Sequence, residues 1–373
     1  KDVPKGSWVR EDLLRVPPAP VLDSLLPAKF KKMPKPEPLT GYTFEGYKNH
    51  DGTVGTRNVL AITTTVNCVA GVVDIALKRI KDELLPRYPH VDDVVALQHI
   101  YGCGQAPNSV DAAIPNRAIR NIALNPNFGG VPLLVSLGCE KLLPDLLLPK
   151  GTLPLQAAGP YTVVLQEEGG FEKMVDAIVK LAAAQLERLD QRRRETCPAS
   201  ELVVGMQCGG SDAFSGMTAN PVLGHAADLL VRAGGTAIFS ELTEVRDRVD
   251  LLVERAFDQE TAEALVGEMR WYDNYLKRAN LDRSTNTSPG NKKGGIANIA
   301  EKSMGNVIKS GTSPLMGVLA AGEKLPPHYR HGLWFCSTPG NDFFCGSLQL
   351  AAGMNLHVFS TGRGTPYGLA EVP

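Results

Sequence analysis

Apolar residues in this chain follow two rhythms. Five short, nearly continuous runs read as buried strands: Val59–Cys68, Val94–Cys103, Val131–Cys139, Leu202–Cys208 and His331–Cys336. Each ends in a cysteine beside glycine or other small or polar residues. Between the first strands, Val72–Leu85 and, less clearly, Ile114–Ala123 carry apolar residues at helical spacing. Such alternation predicts βαβ units and a parallel sheet. Phe171–Arg194 predicts a long amphipathic helix, ended by the charged stretch Gln191–Glu195 and by Cys197-Pro198, which puts a boundary near 195–200. The pattern then repeats: strand Leu202–Met206, helix Pro221–Ala233 closed by Gly234-Gly235, and strand Thr236–Glu241. Leu251–Leu276 reads as helix, Asp282–Gly295 as an ordered loop or lid, and Gly332–Phe335 and His357–Ser360 as further strands. The expected fold is α/β, with two domains (residues 41–197 and 198–373), each a mostly parallel sheet with flanking helices, the second incomplete at its C-terminus. Residues 1–40 are proline-rich and without period, so they read as a linker.

In open parallel sheets ligands bind outside the carboxyl ends of the strands, so thiols there are aimed at a site. Cys68, Cys103 and Cys139 are 35 and 36 residues apart (103 − 68, 139 − 103), one βαβ unit each. At comparable height they could converge on one soft or borderline metal or on an iron–sulfur cluster, with Glu140 adjacent and His99 four residues before Cys103. The competing reading is three small side chains filling strand-to-turn corners.

Gln207–Asp212 follows a strand with two glycines, Gly209 and Gly210, then Ser211 and Asp212. Backbone N–H groups there can approach an anion, and the next helix start adds its positive end. Without GxGxxG or a Walker lysine, a carboxylate fits better than a nucleotide phosphate; the alternative is a tight turn with Asp212 as helix cap. Asn291-Lys292-Lys293-Gly294-Gly295 and Thr361-Gly362-Arg363-Gly364-Thr365 put cations in glycine-rich loops. Arg363 can hold a carboxylate bidentately, and a desolvated loop lysine can act as a base, against the alternative of a solvated basic loop. Arg57-Asn58 follows a hairpin-turn sequence, Asp51-Gly52-Thr53. Glu140, Glu241, Glu244 and Asp342 are acids at predicted strand ends, open to capping, ion pairing or ligation.

Composition narrows the partners. Lys+Arg 39 against Asp+Glu 40 gives a net charge of −1, with no electrostatic reason to expect nucleic acid or an anionic membrane. No apolar run approaches the roughly 18 residues of a membrane span, and Lys1–Pro20 lacks a signal-type segment, so a cytoplasmic protein is expected. Seven cysteines in such a chain are expected to be free, catalytic or metal-binding.

The segments GYTFEGYKNHDGTVGTRN (Gly41–Asn58), YGCG (Tyr101–Gly104), NPNFGG (Asn125–Gly130), GCE (Gly138–Glu140), QCGGSDAFSGMTANP (Gln207–Pro221), SPGNKKGG (Ser288–Gly295) and STGRGTPYG (Ser360–Gly368) resemble the altronate/galactarate dehydratase family. The resemblance covers essentially the whole chain, and Pro198–Gly216 with Arg270–Leu276 bring it nearest the galactarate-acting branch. It implies an Fe²⁺-dependent hydro-lyase that removes water from galactarate, a sugar diacid, to give 5-keto-4-deoxyglucarate. Altronate dehydration, a non-catalytic sugar-acid-binding paralogue, and an iron–sulfur cluster as cofactor are the alternatives. Within that reading, His99, Lys292 and Lys293 are the candidates for proton transfer. Arg57, Asn58, Gly209, Gly210, Ser211, Asp212, Asn291, Arg363 and Thr365 are the candidates for substrate binding, and Cys68, Cys103, Cys139 and Glu140 for the metal. A homodimer is expected. Family members carry an N-terminal SAF-type domain, whose last residues Lys1–Trp8 resemble, and continue past Pro373; that domain is expected to help complete the site. In related lyases acting on sulfolactate the two modules resemble separate subunits.

Overall fold

The computed structural model describes residues 18–26, 33–153, 161–329 and 331–373. The expected SAF-type ending Lys1–Trp8 and much of the proline-rich linker lie outside the described residues. The described part of that stretch runs over the second domain: Leu22 is buried in its core, and the Leu39 N–H donates to the Arg232 carbonyl at 2.7 Å.

Strands β1 (Thr43–Lys48) and β2 (Val54–Gly55) form the hairpin, its turn reversed by Gly52 at φ +85. The first parallel sheet holds β3 (Val59–Thr64), β4 (Asp93–Leu97), β5 (Leu133–Ser136) and β6 (Thr162–Val164) in the order β4-β3-β5-β6. Helices α1 (Ala70–Arg79) and α4 (Phe171–Asp190) cover one face, meeting Leu60, Ile62, Leu133 and Val135. The other face takes α2 (Val110–Ala123), Phe128 and Leu147 of the short α3 (Pro144–Leu147). Strand β7 (Glu195–Pro198) then returns to pair antiparallel with β1, so the segment read as a helix-breaking boundary is an edge strand.

The second sheet is also parallel: β8 (Val203–Cys208), β9 (Thr236–Ser240), β10 (Leu315–Leu319), β11 (Leu333–Cys336) and β12 (Leu356–Ser360), ordered β10-β11-β9-β8-β12. Between β8 and β9 come α5 (Ala213–Met217) and α6 (Ala219–Arg232); between β9 and β10 come α7 (Val249–Val253), α8 (Gln259–Arg278), α9 (Pro289–Lys293) and α10 (Ile299–Lys309). The expected helix Leu251–Leu276 is broken where Asp258 caps a new start, its side chain accepting from the Thr261 N–H at 3.0 Å. The expected loop at 282–295 contains a 3₁₀ turn, Arg283–Asn286, and α9. Helix α11 (Asp342–Ala352) covers the sheet face opposite α6 and α8, where Ile114, Ala118 and Ile122 of α2 join it. Among the described residues no helix is long and apolar enough to cross a membrane.

Strand order decides where ligands can bind. In the first sheet the chain leaves β3 for β4 on one side and comes back as β5 on the other; in the second, β9 and β12 flank β8 in the same way. Each such switch opens a crevice at the carboxyl end of the central strand. The crevices lie past β3, at Thr65–Cys68, and past β8, at Cys208–Asp212.

An asparagine network ties the domains together. Asn355 is buried; its Nδ2 donates to the Val54 carbonyl at 2.7 Å and the Glu201 carbonyl at 2.9 Å, and its Oδ1 accepts from the Val203 N–H at 2.9 Å. Its own carbonyl accepts from Thr56 Oγ1 and Asn127 Nδ2, while Asn125 Nδ2 reaches the Leu350 and Met354 carbonyls. An Asn355→Ala substitution strands one buried carbonyl, one half-buried carbonyl and one N–H, and is expected to cost about 3 kcal/mol, read by thermal unfolding. A change within about 0.5 kcal/mol would remove this network as the domain tie.

Candidate functional site

At the carboxyl edge of the first sheet the strands stop before their cysteines. Cys68 lies in a 3₁₀ turn, Asn67–Val69, four residues past β3; Cys103 is six past β4; Cys139 is three past β5. All three thiols are exposed and unpaired, so they do not fill corners. Their loops touch. The Asn67 N–H donates to the Tyr101 carbonyl at 2.9 Å, and Thr65 Oγ1 donates to Glu140, whose loop carries Cys139.

Glu140 is buried with its carboxylate already engaged: it accepts from Ser136 Oγ at 2.5 Å, Leu137 N–H at 3.0 Å and Gly138 N–H at 2.6 Å, besides Thr65. Burial alone would raise this carboxyl, but hydrogen bonds from Ser136, Thr65 and the backbone hold it below the ordinary value. It therefore shapes the loop instead of offering itself as the expected metal ligand. His99 is likewise fixed, its Nδ1 accepting from the Tyr101 N–H at 3.0 Å and its Nε2 facing Asn116 Oδ1 at 2.8 Å. With Nδ1 as acceptor, Nε2 carries the proton toward Asn116, leaving no free nitrogen for the expected proton transfer. Arg57 and Asn58 sit at the amino end of β3, opposite the cysteines. Asn58 is consumed by His90, Leu189, Asp92 and Arg192, and Arg57 Nη1 donates to the Ala370 carbonyl. Both are held by partners within the fold at the end of the sheet opposite the cysteines.

The second crevice gathers the glycine-rich motifs. Arg363 Nε lies 3.1 Å from Asp212 Oδ2, the Ala213 N–H donates to the Gly294 carbonyl at 3.0 Å, and Asn291 Nδ2 donates to the Ser211 carbonyl at 2.9 Å. The Gly209 N–H bonds the Ser360 carbonyl, and a Cβ on Gly362 would collide with the Asp212 carboxylate, so that close approach requires glycine. Gly210 is exposed at φ +58. Asp212 also caps α5 in a capping box with Ser215, which fits the structural reading and the ion pair together. Thr365 Oγ1 serves a local turn, accepting from the Tyr367 N–H at 3.3 Å. Lys292 and Lys293 lie exposed in the last turn of α9.

Behind these loops stands a group with no motif. Helix α10 turns Lys302, Asn306 and Lys309, spaced at helical period, toward the ends of β8 and β9. Fully buried Lys309 has its ammonium 3.3 Å from Cys208 Sγ and 3.4 Å from Glu241 Oε2; Lys302 Nζ is 2.9 Å from Glu244 Oε1. Lys302 also donates to Asn286 Oδ1 at 2.7 Å, and Asn306 Nδ2 to the Ser240 carbonyl at 2.9 Å. Glu241 holds φ at 80, a left-handed conformation unusual for a side-chain-bearing residue, with its N–H on Thr338 Oγ1 at 3.0 Å. Burial and the charge of Glu244 push the Glu241 carboxyl up, to about 8, against the pull of Lys309. Burial would lower Lys309, yet Cys208, Glu241 and Glu244 together hold it above its ordinary value. Burial pushes the Cys208 thiol up to about 12, against Lys309.

A cavity of ≈ 180 Å³ opens beside this group, lined by Ser211, Asp212, Asn220, Glu244 and Lys302 and reaching Cys208. A larger, mostly apolar cleft of ≈ 450 Å³ separates the domains, with His99 and Ile100 on one wall and Leu242 and Thr338 on the other. Among the described residues, Cys208, Glu241 and Glu244 are the set of potential ligands whose donor atoms all lie within 4.8 Å of one another. The chemistry of that set does not fit a divalent ion. Its two carboxyl groups already face two ammonium groups, and a third cationic centre would enter against both.

Two family models cover most of the chain. Residues 46–190 match D-galactarate dehydratase/Altronate hydrolase, second domain, and residues 199–373 match D-galactarate/Altronate dehydratase, C-terminal. The chain is 54% identical to galactarate dehydratase (L-threo-forming) of Escherichia coli (strain K12), over 100% of its own length and 71% of that protein. It is 37% identical to altronate dehydratase of Bacillus subtilis (strain 168), spanning 87% of this chain and 63% of that one. Against (2R)-sulfolactate sulfo-lyase subunit beta of Chromohalobacter salexigens the identity is 27%, over 90% and 81%. These matches, spread over both sheets and both crevices, show that the chain belongs to the galactarate/altronate dehydratase family.

Proposed function

We propose that this chain is a hydro-lyase that removes water from a sugar acid, with galactarate the favoured substrate and 5-keto-4-deoxyglucarate the product. The observation that carries the reading is the cavity at the switch point of the second sheet, lined by Ser211, Asp212, Glu244 and Lys302, with Arg363 paired to Asp212 on its wall. Its support from kinship is the 54% identical relative named galactarate dehydratase.

Loss of water β to a carboxylate needs a base for the α-proton, positive charge for the aci-carboxylate, and an acid for the departing hydroxyl. Lys302, 2.9 Å from Glu244 and on the cavity wall, is the group placed to move a proton. Arg363, held against the cavity-lining Asp212, and the backbone around Gly210 are the groups proposed to receive a carboxylate. Exposed Lys292 and Lys293, one short helix away, suit the second carboxylate of a diacid, which altronate lacks. Iron is the proposed cofactor, held by the exposed thiols of Cys68, Cys103 and Cys139; bound there it would supply a Lewis acid for the departing oxygen. A homodimer completed by a SAF-type domain remains part of this proposal.

The test is formation of keto acid from galactarate and from altronate by protein purified anaerobically with iron, read by a carbonyl-specific reagent. The expected result is a kcat/KM at least tenfold higher for galactarate. Preference for altronate overturns the substrate, and no keto acid from either overturns the reaction.

A further inference from the structure

We propose that the pocket at the amino edge of the first sheet, where the end of α4 meets the turn between β1 and β2 and Lys324 of the second domain, binds a small phosphate-bearing molecule. The pocket lies at the opposite end of that sheet from Cys68, Cys103 and Cys139, and the proposal does not depend on the dehydratase reading.

Its wall is built of cations. A pocket of ≈ 560 Å³, room for a small molecule, is lined by Lys48, Arg188, Arg192 and Lys324, together with Gly129 ahead of β5. Lys48 is paired, its ammonium 3.0 Å from Glu195. Arg188, Arg192 and Lys324 have no carboxylate partner among the described residues. Arg188 Nε donates to Gln185 Oε1 at 3.1 Å and Nη1 to the Gly129 carbonyl at 3.3 Å, while its buried Nη2 meets no acceptor. Arg192 donates to Asn58 Oδ1 at 2.9 Å and Asn49 Oδ1 at 2.7 Å, both neutral. The carboxylate on the lining, Asp51, is turned onto its own hairpin, where it accepts from the Thr53 N–H at 3.0 Å and from Thr53 Oγ1 at 2.7 Å.

Such a wall is unfavourable without a counter-charge. Burial lowers the pKa of Arg188, and burial together with the charge of Arg188 pushes Arg192 down to about 10. The two guanidinium groups have lost water and repel each other. The carbonyl end of α4 offers only about half a negative charge against three unpaired cations. Glycine keeps the arrangement open: Gly129 sits at φ 64, and a Cβ there would lie 2.8 Å from Arg192 Nη1.

An oxyanion supplies the missing charge. Guanidinium groups pair with phosphate bidentately, and a tetrahedral phosphate offers oxygens in several directions at once, which suits cations arriving from α4 and from the second domain. A planar carboxylate offers fewer. Bound there, the anion bridges Lys324 to Arg188 and Arg192 and so adds a tie between the domains.

The test is calorimetric titration of the full chain with inorganic phosphate and with inorganic pyrophosphate at fixed ionic strength, with chloride as the comparison anion. The expected result is saturable binding of at least one of the two, with a Kd below about 1 mM. Arg188→Gln and Lys324→Gln should each weaken it by about tenfold or more, the effect of losing one charge-assisted contact. Their unfolding temperatures should stay within about 2 °C of the parent, because neither side chain holds a carboxylate of the fold. Lys302→Met, in the other crevice, should bind with unchanged affinity. No saturable binding of either probe, heat that chloride reproduces, or parental affinity in the Arg188→Gln/Lys324→Gln double variant overturns the site. Tighter binding of citrate or galactarate than of either phosphate probe, retained in Lys302→Met, overturns the ligand class. The dehydratase reading fails separately, through the absence of keto acid from protein that still binds phosphate.

Discussion

Above about pH 8, where Glu241 is ionised, replacing Lys309 by methionine should destabilise the protein by roughly 3–5 kcal/mol, the range for removing one partner from a buried ionic group. Lys309 is fully enclosed, touching Cys208 at 3.3 Å and Glu241 at 3.4 Å. Methionine fills similar space but leaves Glu241 and Glu244 with Lys302 as their remaining close cation. In a chain of this size the loss corresponds to a fall in unfolding temperature of about 10 °C. The effect has a pH signature. The folded-state Glu241 carboxyl is raised to about 8, so between the ordinary carboxylate range and that value the folded state keeps a proton the unfolded state has released. Stability from this group therefore falls as pH rises through that window, and Glu241→Gln should flatten the slope. An unfolding temperature of Lys309→Met within about 2 °C of the parent would show that the buried acids need no cation from Lys309.

Much of the architecture could be read from the chain because parallel strands buried on both faces leave continuous apolar runs. The same rule misplaced their ends. Val59–Cys68 runs past β3 because Thr65, Val66 and Val69 stay buried in the turn after the strand has ended. Strand β10 escaped notice because Gly317 interrupts its apolar run; a Cβ there would collide with the Trp334 ring. Strand β7 is an edge strand with mostly exposed residues, so alternation against a core never appears. The site divides similarly. The glycine-rich loops announced themselves, since backbone close to a ligand needs glycine locally. Lys302 and Lys309 did not, because their partners lie far along the chain, at the end of β8 and just past β9. The available signal was lysine on the apolar face of Ile299–Lys309, a position that demands a buried counter-charge. Glu241 and Glu244, noted as strand-end acids with three possible uses, are those counter-charges.

The second large effect concerns Lys302. Lys302→Met should lower kcat for galactarate dehydration by about 10²–10⁴-fold, the range for losing a positioned proton-transfer group. Unlike Lys309, it reaches the cavity, and its ammonium is held between Glu244 at 2.9 Å and Asn286 Oδ1 at 2.7 Å. That arrangement fixes the amine without enclosing it. If Lys302 moves a proton, KM should change less than tenfold while kcat collapses, and Lys302→Arg, which keeps the charge but cannot release its proton, should not restore the rate. If Lys302 only neutralises Glu244, Lys302→Arg would recover most of the activity and Glu244→Gln would relieve the methionine variant. Rescue by arginine with a kcat within threefold of the parent therefore returns Lys302 to a charge-balancing role and moves proton transfer to the exposed pair Lys292 and Lys293.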